Sequence, residues 1–142
     1  MNIYCDTSFL VSLLARDSNY HAAFKIMARA PGACWTPWQR IEVNNAVRLN
    51  LGNNKLTTAD VRTIENLIKI GVAKGELIPT DIPMSDWWRE AEVLSNAHTS
   101  TLKVRTLDLL HVAAARVLNA THFYTFDKRQ HALARAAGLQ VN

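Results

Sequence analysis

Several common signatures of function are missing from this sequence. It has two cysteines, Cys5 and Cys34, which lie in short apolar segments without CxxC spacing, so we expect buried thiols in a reducing compartment. No apolar run approaches the roughly 20 residues that cross a bilayer. The polar Asn2 before a strand-like segment is not typical of a signal peptide. We therefore expect a cytoplasmic protein that does not bind a membrane.

Familiar phosphate-binding and nucleophile motifs are also absent. No GxGxxG follows the first strand-like segment and no GxxxxGK[ST] occurs, so dinucleotide-binding and P-loop chemistry are unsupported. No second Asp stands two positions after Asp6, as it would in a phospho-aspartyl phosphatase. No Ser or Cys has the setting of a catalytic nucleophile. These absences narrow the enzyme classes that the chain can represent.

The length and composition fit a single domain over residues 1–142. The chain is 49% hydrophobic and 20% charged, which is sufficient for one hydrophobic core. The patterns predict short strands at residues 1–5, 33–35, 76–79, 122–125 and 139–141. They predict helices at residues 7–15, 21–30 and 37–51, a helix from the Thr57 cap to Gly71, one from the Ser85 cap to residue 98, one after the Thr106 cap, and one at residues 127–137. Residues 99–105 are predicted to form a basic loop.

Alternating strands and helices indicate an α/β fold with a parallel sheet covered on both faces. In such sheets ligands bind at the carboxyl ends of the strands. Asp6 follows the first predicted strand and Asp127 follows the fourth. If these strands are neighbours, the two acids meet at that edge, with Asp108 from the preceding helix and Glu42 from the helix after the second strand.

Carboxylates gathered in this way need a counter-charge. At about 4 Å each pair repels by several kcal/mol, and a divalent cation removes that conflict. Each acid also has an ordinary structural alternative: Asp127 with Gln130 fits a capping box, Asp108 fits the first turn of a helix, and Glu42 fits an exposed helix face. Asp6 is harder to explain as a cap, because Thr7 and Ser8 are better placed for that role.

One histidine and the overall charge bear on the same site. His111 lies three residues after Asp108, but a hard cation prefers oxygen ligands, so we expect His111 to make a structural hydrogen bond or to pack beside the site. Sixteen Lys and Arg face twelve Asp and Glu, of which four are the candidate site residues, so the rest of the chain is strongly basic. Basic residues around an acidic centre suit a polyanionic substrate.

Four segments together resemble the PIN-domain ribonucleases, and within them the VapC-type toxins of bacterial toxin–antitoxin pairs. The order and approximate spacing of the four acids agree over essentially the whole chain. The segments are Asp6-Thr7-Ser8-Phe9-Leu10, Glu42 in a central helix, Arg105-Thr106-Leu107-Asp108-Leu109-Leu110-His111-Val112-Ala113, and Thr125-Phe126-Asp127-Lys128.

This resemblance implies a PIN-like three-layer α/β/α fold with strand order 3-2-1-4-5, in which strands one and four are adjacent. It also implies an endoribonuclease that depends on Mg²⁺ or Mn²⁺, a homodimer, and inhibition by a cognate antitoxin. The alternatives are a catalytically silent PIN module that binds RNA, and one that binds a protein partner.

The corresponding hypothesis is hydrolysis of RNA by metal-activated water. Metal ligands would be Asp6, Asp108 and Asp127, while Glu42 would ligate a second ion or orient the water. Hydrogen bonds to these ligands would come from Thr7, Ser8 and Thr125. Flanking phosphates would be bound by Arg105, Lys128 and Arg129.

Overall fold

The structure is a computed structural model that describes residues 2–142, so Met1 of the predicted first strand lies outside the described residues. The strands are β1 (Ile3–Cys5), β2 (Ala33–Trp35), β3 (Leu77–Pro79), β4 (His122–Tyr124) and β5 (Gln140–Val141). The helices are α1 (Thr7–Ala15), α2 (Tyr20–Met27), α3 (Pro37–Gly52), α4 (Thr58–Lys74), α5 (Met84–Leu94), α6 (Ser100–Leu102), α7 (Thr106–Val117) and α8 (Lys128–Ala136), with a π-helical turn at Ser95–Thr99.

The chain forms two compact units. The first unit contains the chain up to Asp6 together with Asp81–Asn142, and the second unit is Thr7–Thr80. The first unit therefore contains β1, β4, β5 and the helices from α5 onwards. The second contains β2, β3 and the first four helices. A single domain over the whole chain stays a prediction.

The first unit is built on a parallel sheet with the order β1-β4-β5. In its register Ile3 pairs with His122 and Cys5 with Tyr124, and the Asp6 amide continues the ladder by donating to the Tyr124 carbonyl at 3.0 Å. The adjacency of the first and fourth strands, on which the predicted site depends, is confirmed. Consequently the residues after β1 and β4 lie at the same edge of this sheet.

The core of the first unit combines aromatic rings with a helix of small residues. Tyr4 and Phe123, on neighbouring strands, are fully buried and stack with ring centroids 5.7 Å apart. In α7, Val112 and the alanines 113–115 are completely buried. Small side chains allow the backbone of α7 to approach its neighbours α5 and α8 closely. The buried helix holds its first turn, with Asp108, in a fixed position.

The second unit pairs β2 with β3 in parallel and packs α1 against α2, α3 and α4. Helix α3 begins with a capping box, in which the Thr36 hydroxyl accepts from the Gln39 amide and the Gln39 side chain accepts from the Thr36 amide. Pro37 occupies the first helical position, as predicted. These local signals fix the direction of the helix that contains Glu42.

The end of α4 corrects one prediction. Gly71 does not close this helix, which continues to Lys74 and ends at Gly75 with φ +74°. Gly71 is buried inside the helix, where an added Cβ would lie 3.3 Å from the Leu77 side chain. It serves close packing, whereas Gly75 supplies the left-handed conformation that ends a helix.

The region from Pro83 to Thr106 corrects three more predictions. Ser85 does not cap α5, because the Pro83 carbonyl accepts the first helical hydrogen bond, from Trp87, and the helix begins at Met84. The predicted loop at residues 99–105 is helical as far as Leu102, and the chain leaves the helix at Lys103, whose φ is +53°. The N-cap of α7 is Arg105 rather than Thr106.

The remaining boundaries differ from the predicted ones by a few residues. Helix α2 ends at Met27 rather than at residue 30.

Both cysteines are buried free thiols, as predicted, and burial raises the pKa of Cys34. The observed pairs β2–β3 and β1–β4–β5 agree with the order 3-2-1-4-5, while the step from strand two to strand one stays a prediction. Among residues 2–142 there is no helix with the length and apolar character that a membrane span requires.

Candidate metal centre

Asp6 is a completely buried carboxylate at the carboxyl end of β1, with an exposed fraction of 0%. Its Oδ2 accepts hydrogen bonds from the Thr125 hydroxyl at 2.8 Å and from the Gln130 side-chain amide at 3.0 Å. Both donors are neutral and belong to the segment that follows β4. A buried charged group normally requires such partners, and here they also fix the direction of the carboxylate.

Thr125 joins two of the predicted acids. Its hydroxyl donates to Asp6 and accepts from the backbone N–H of Asp127 at 2.9 Å. The donor and acceptor functions of a single hydroxyl are therefore both used. Thr125 therefore couples the end of β4 to the side chain after β1, while its role beside a metal ion stays a prediction.

Asp127 is the N-cap of α8. Its Oδ1 accepts from the backbone N–H groups of Arg129 at 2.9 Å and Gln130 at 3.0 Å. The sequence predicts a capping box of Asp127 with Gln130 as the alternative to metal binding, and the structure contains the Asp127 half of that box. A carboxylate has about four acceptor positions on two oxygens, so the cap does not exhaust the capacity of Asp127.

Asp108 lies in the first turn of α7 and is only 5% exposed. Its Oδ2 accepts from the Arg105 backbone N–H at 3.4 Å and from the Arg105 guanidinium at 3.3 Å. The guanidinium is 67% exposed, so solvent screens this ion pair and it adds little stability. Arg105 was predicted to bind phosphate, and in this structure its side chain pairs with Asp108.

The other predicted residues lie in two places. In the second unit, the Thr7 hydroxyl donates to Glu42 Oε2 at 2.7 Å, and Ser8 is half-buried in α1. Lys128 and Arg129, in the first turn of α8, are exposed. Participation of Glu42, Thr7 and Ser8 in a common centre with the first unit's acids stays a sequence prediction.

His111 does make the structural hydrogen bond that was expected of it. The Tyr4 hydroxyl and His111 Nδ1 are 3.0 Å apart, both side chains are buried, and the rings meet edge to face. On the same sheet, burial raises the pKa of Tyr124, and the neighbouring Cys5 thiol contributes to the increase. These contacts hold the strands behind the candidate site.

The chemistry of the available donors decides whether a metal fits. Among residues 2–142, no three His, Cys, Asp or Glu side chains are grouped so that they could hold an ion together. Mg²⁺ does not need such a cage, because it keeps several waters and uses one or two carboxylates. The first unit offers it buried oxygen donors from Asp6 and Asp108. These donors suit a hydrated hard cation and not a soft metal.

Gln130 is the residue that the sequence interpretation missed. The sequence predicts Gln130 only as a capping partner of Asp127, yet its side chain contacts Asp6, 124 positions away in the sequence. Its Oε1 is buried and, within residues 2–142, has no hydrogen-bond partner. A single sequence contains no signal for this contact, because the spacing of Asp127 and Gln130 is the same in an ordinary cap.

Comparison with known proteins identifies the family. The family model described as the PIN domain matches residues 3–136, a range that includes sequence from both units. The chain belongs to the PIN-domain family. No curated protein matches this PIN-domain sequence significantly.

Two solved structures are similar in fold. VapC20 of Mycobacterium tuberculosis, a toxin that cleaves the sarcin–ricin loop, has a TM-score of 0.66 and 20% identity over 96% of this chain and 95% of its own. VapBC2 of Rickettsia felis, bound to a DNA fragment of its promoter, has a TM-score of 0.55 and 14% identity over 100% of this chain and 98% of its own. At these identities the likeness concerns the fold, and it confirms the predicted α/β PIN fold.

Proposed function

We propose that this PIN domain is a metal-dependent endoribonuclease that hydrolyses RNA phosphodiester bonds, and that it acts as the toxin of a VapC-type toxin–antitoxin pair. The observation that carries the proposal is the buried carboxylate of Asp6, held at the carboxyl end of β1 by Thr125 and Gln130. Membership of the PIN family and the fold shared with two Vap structures support it.

In this proposal Asp6, Asp108 and Asp127 would hold Mg²⁺ or Mn²⁺ partly through the ion's own waters, since they do not form a closed three-residue cage. When bound, such an ion would lower the pKa of a water and offset charge on the phosphoryl oxygens. Thr125 and Gln130 keep the Asp6 carboxylate in one orientation, and the cap contacts do the same for Asp127. Fixed carboxylates lose little conformational freedom when they bind an ion, which favours binding at low metal concentration.

Positive side chains next to the acids would bind the RNA backbone. Lys128 and Arg129 are exposed in the first turn of α8, where the helix N-terminus also favours anions. The exposed guanidinium of Arg105 is the third candidate, and phosphate would compete there with Asp108. The net charge of +4 supports attraction of a polyanion.

The partners in this proposal are an RNA substrate and a cognate antitoxin, with a homodimer as the expected form of the toxin. A small neighbouring reading frame that encodes a DNA-binding antitoxin would support the toxin role. Growth arrest on expression of this chain alone, relieved by co-expression of that neighbour, tests the toxin role directly. RNA cleavage without growth arrest would favour a housekeeping nuclease.

The nuclease activity is tested with Asp108→Asn, and with Asp81→Asn as a matched control at an exposed position of the first unit. An asparagine oxygen can still accept from the Arg105 amide, so the fold should persist. The Asp108→Asn variant should lose several kcal/mol of metal-dependent stabilisation of the transition state, which lowers the rate of RNA cleavage by about 100-fold or more. Cleavage should survive Asp81→Asn and stop in EDTA. Full activity of the folded Asp108→Asn variant would refute the mechanism. RNA binding without cleavage by the wild type in Mn²⁺ would favour the silent module.

A further inference from the structure

The side chain of Gln130 is 6% exposed and has two different ends. Its amide nitrogen donates to Asp6 Oδ2 at 3.0 Å. Its amide oxygen, Oε1, is buried and has no hydrogen-bond partner within residues 2–142. Buried polar atoms without a partner are rare in folded proteins, and each one needs an explanation.

The orientation of this amide follows from its neighbour. An ionised carboxylate can only accept hydrogen bonds, so the NH₂ group of Gln130 must face Asp6. The opposite orientation would place two oxygens in contact and would leave the NH₂ group without its acceptor. Oε1 is therefore the end of the amide that does not face Asp6, and it can only accept a hydrogen bond.

Capping does not explain this side chain. In a capping box, the side chain at the position of Gln130 would accept from the backbone N–H of the cap residue Asp127. Here that N–H donates to the Thr125 hydroxyl at 2.9 Å instead. The Asp127 side chain caps α8 by accepting from the backbone N–H groups of Arg129 and Gln130, and the side chain of Gln130 contacts Asp6 instead of the cap.

We propose that Gln130 is a positioning residue of the metal centre: its NH₂ group fixes Asp6, and its Oε1 accepts a hydrogen bond from a water of the hydrated divalent ion. This inference rests on the proposed function, because it requires the ion. The waters of such an ion are strong donors, since their lone pairs face the cation, and Mg²⁺ retains several of them. Groups that orient ligands in this way typically change metal affinity by 10- to 100-fold.

The test compares Mn²⁺ binding by the wild type, Gln130→Met and Gln140→Met, measured by isothermal titration calorimetry. Methionine has a similar length to glutamine but neither polar atom, and Gln140 is an exposed control in β5. We expect Gln130→Met, shown to be folded by circular dichroism, to bind Mn²⁺ about 10-fold more weakly or worse. Gln140→Met should match the wild type. Equal affinity of folded Gln130→Met and wild type would overturn the assignment of Gln130 and leave the metal centre intact.

A measurement on the wild type keeps the proposal testable if Gln130→Met does not fold. In ¹⁵N NMR spectra, the side-chain amide signal of Gln130 should shift during a Mg²⁺ titration, with the same midpoint as the backbone amide of Asp6. The Gln140 side-chain signal should not move. A stationary Gln130 signal beside a shifting Asp6 amide would overturn the assignment. If the wild type binds neither Mn²⁺ nor Mg²⁺, the metal centre itself is refuted and this inference with it.

Discussion

Asp6→Asn should leave the metal-free protein folded while removing its stabilisation by divalent ions. The hydrogen bonds from Thr125 and Gln130 to this carboxylate end on the same oxygen, Oδ2. An asparagine with its oxygen in that position still accepts from Thr125 and Gln130. The bonds become weaker without the charge, but the cost of burying the charge disappears as well. We therefore expect the metal-free stability to change by no more than about 2 kcal/mol.

The ion should stabilise the wild type by more than this change in metal-free stability. An ion present at about 100 times its dissociation constant stabilises the native state by roughly 2.7 kcal/mol. For a domain of this size, 1 kcal/mol corresponds to roughly 3–5 °C in the melting temperature. Mn²⁺ should therefore raise the melting temperature of the wild type by about 10 °C. Asp6→Asn should show little or no increase in melting temperature, because it would lack a proposed ligand of the ion.

The assay is thermal unfolding followed by circular dichroism, in EDTA and in saturating Mn²⁺. Asp81→Asn serves as the control, since this exposed acid has the same charge and belongs to the same unit. It should keep the full increase. An Asp6→Asn protein that Mn²⁺ stabilises as strongly as the wild type would place the ion elsewhere and refute the reasoning.

Two further predictions concern α4. Gly75→Ala should lower the free energy of unfolding by about 1–2 kcal/mol, because alanine resists the φ of +74° although the space around it is open. Gly52→Ala is the control, since its position is equally open but has no positive φ, and it should not lower the free energy of unfolding. Equal losses for the two variants in denaturant titrations would contradict this account. Asp60→Asn should lower the free energy of unfolding at neutral pH but not at strongly acidic pH. The Thr57 backbone N–H and hydroxyl hold the pKa of Asp60 below its usual 3.8, so its contribution is full well above that value and disappears as the pH falls through the lower, folded-state pKa. A stability difference from the wild type that stays constant from neutral to strongly acidic pH would contradict this.

Local rules predicted those parts of the fold that depend on neighbours in sequence. The Pro37 start of α3 and the helix after Asp6 follow from capping and apolar spacing, and both lie where these rules put them. Gly71 and Gly75 show the limit. Each glycine is able to end a helix, and what distinguishes them is the packing of Gly71 against Leu77 of β3, which lies outside the helix.

The candidate site shows the same division. Its place at the ends of strands one and four follows from the general rule for parallel sheets, and the β1–β4 pairing agrees. The contacts that fix Asp6 come from Thr125 and Gln130, which are 119 and 124 positions away in the sequence. Thr125 was predicted from its motif. The contact of Gln130 with Asp6 was not predicted, because it goes with a hydrogen bond from the Asp127 backbone N–H to Thr125 in place of a capping box.

The most direct test of the metal centre is a crystal structure of this PIN domain grown with Mn²⁺, with data collected to show anomalous scattering from manganese. We predict an anomalous peak within coordination distance of an Asp6 or Asp108 carboxylate oxygen. Density without manganese at either carboxylate, in crystals grown with saturating Mn²⁺, would contradict the account.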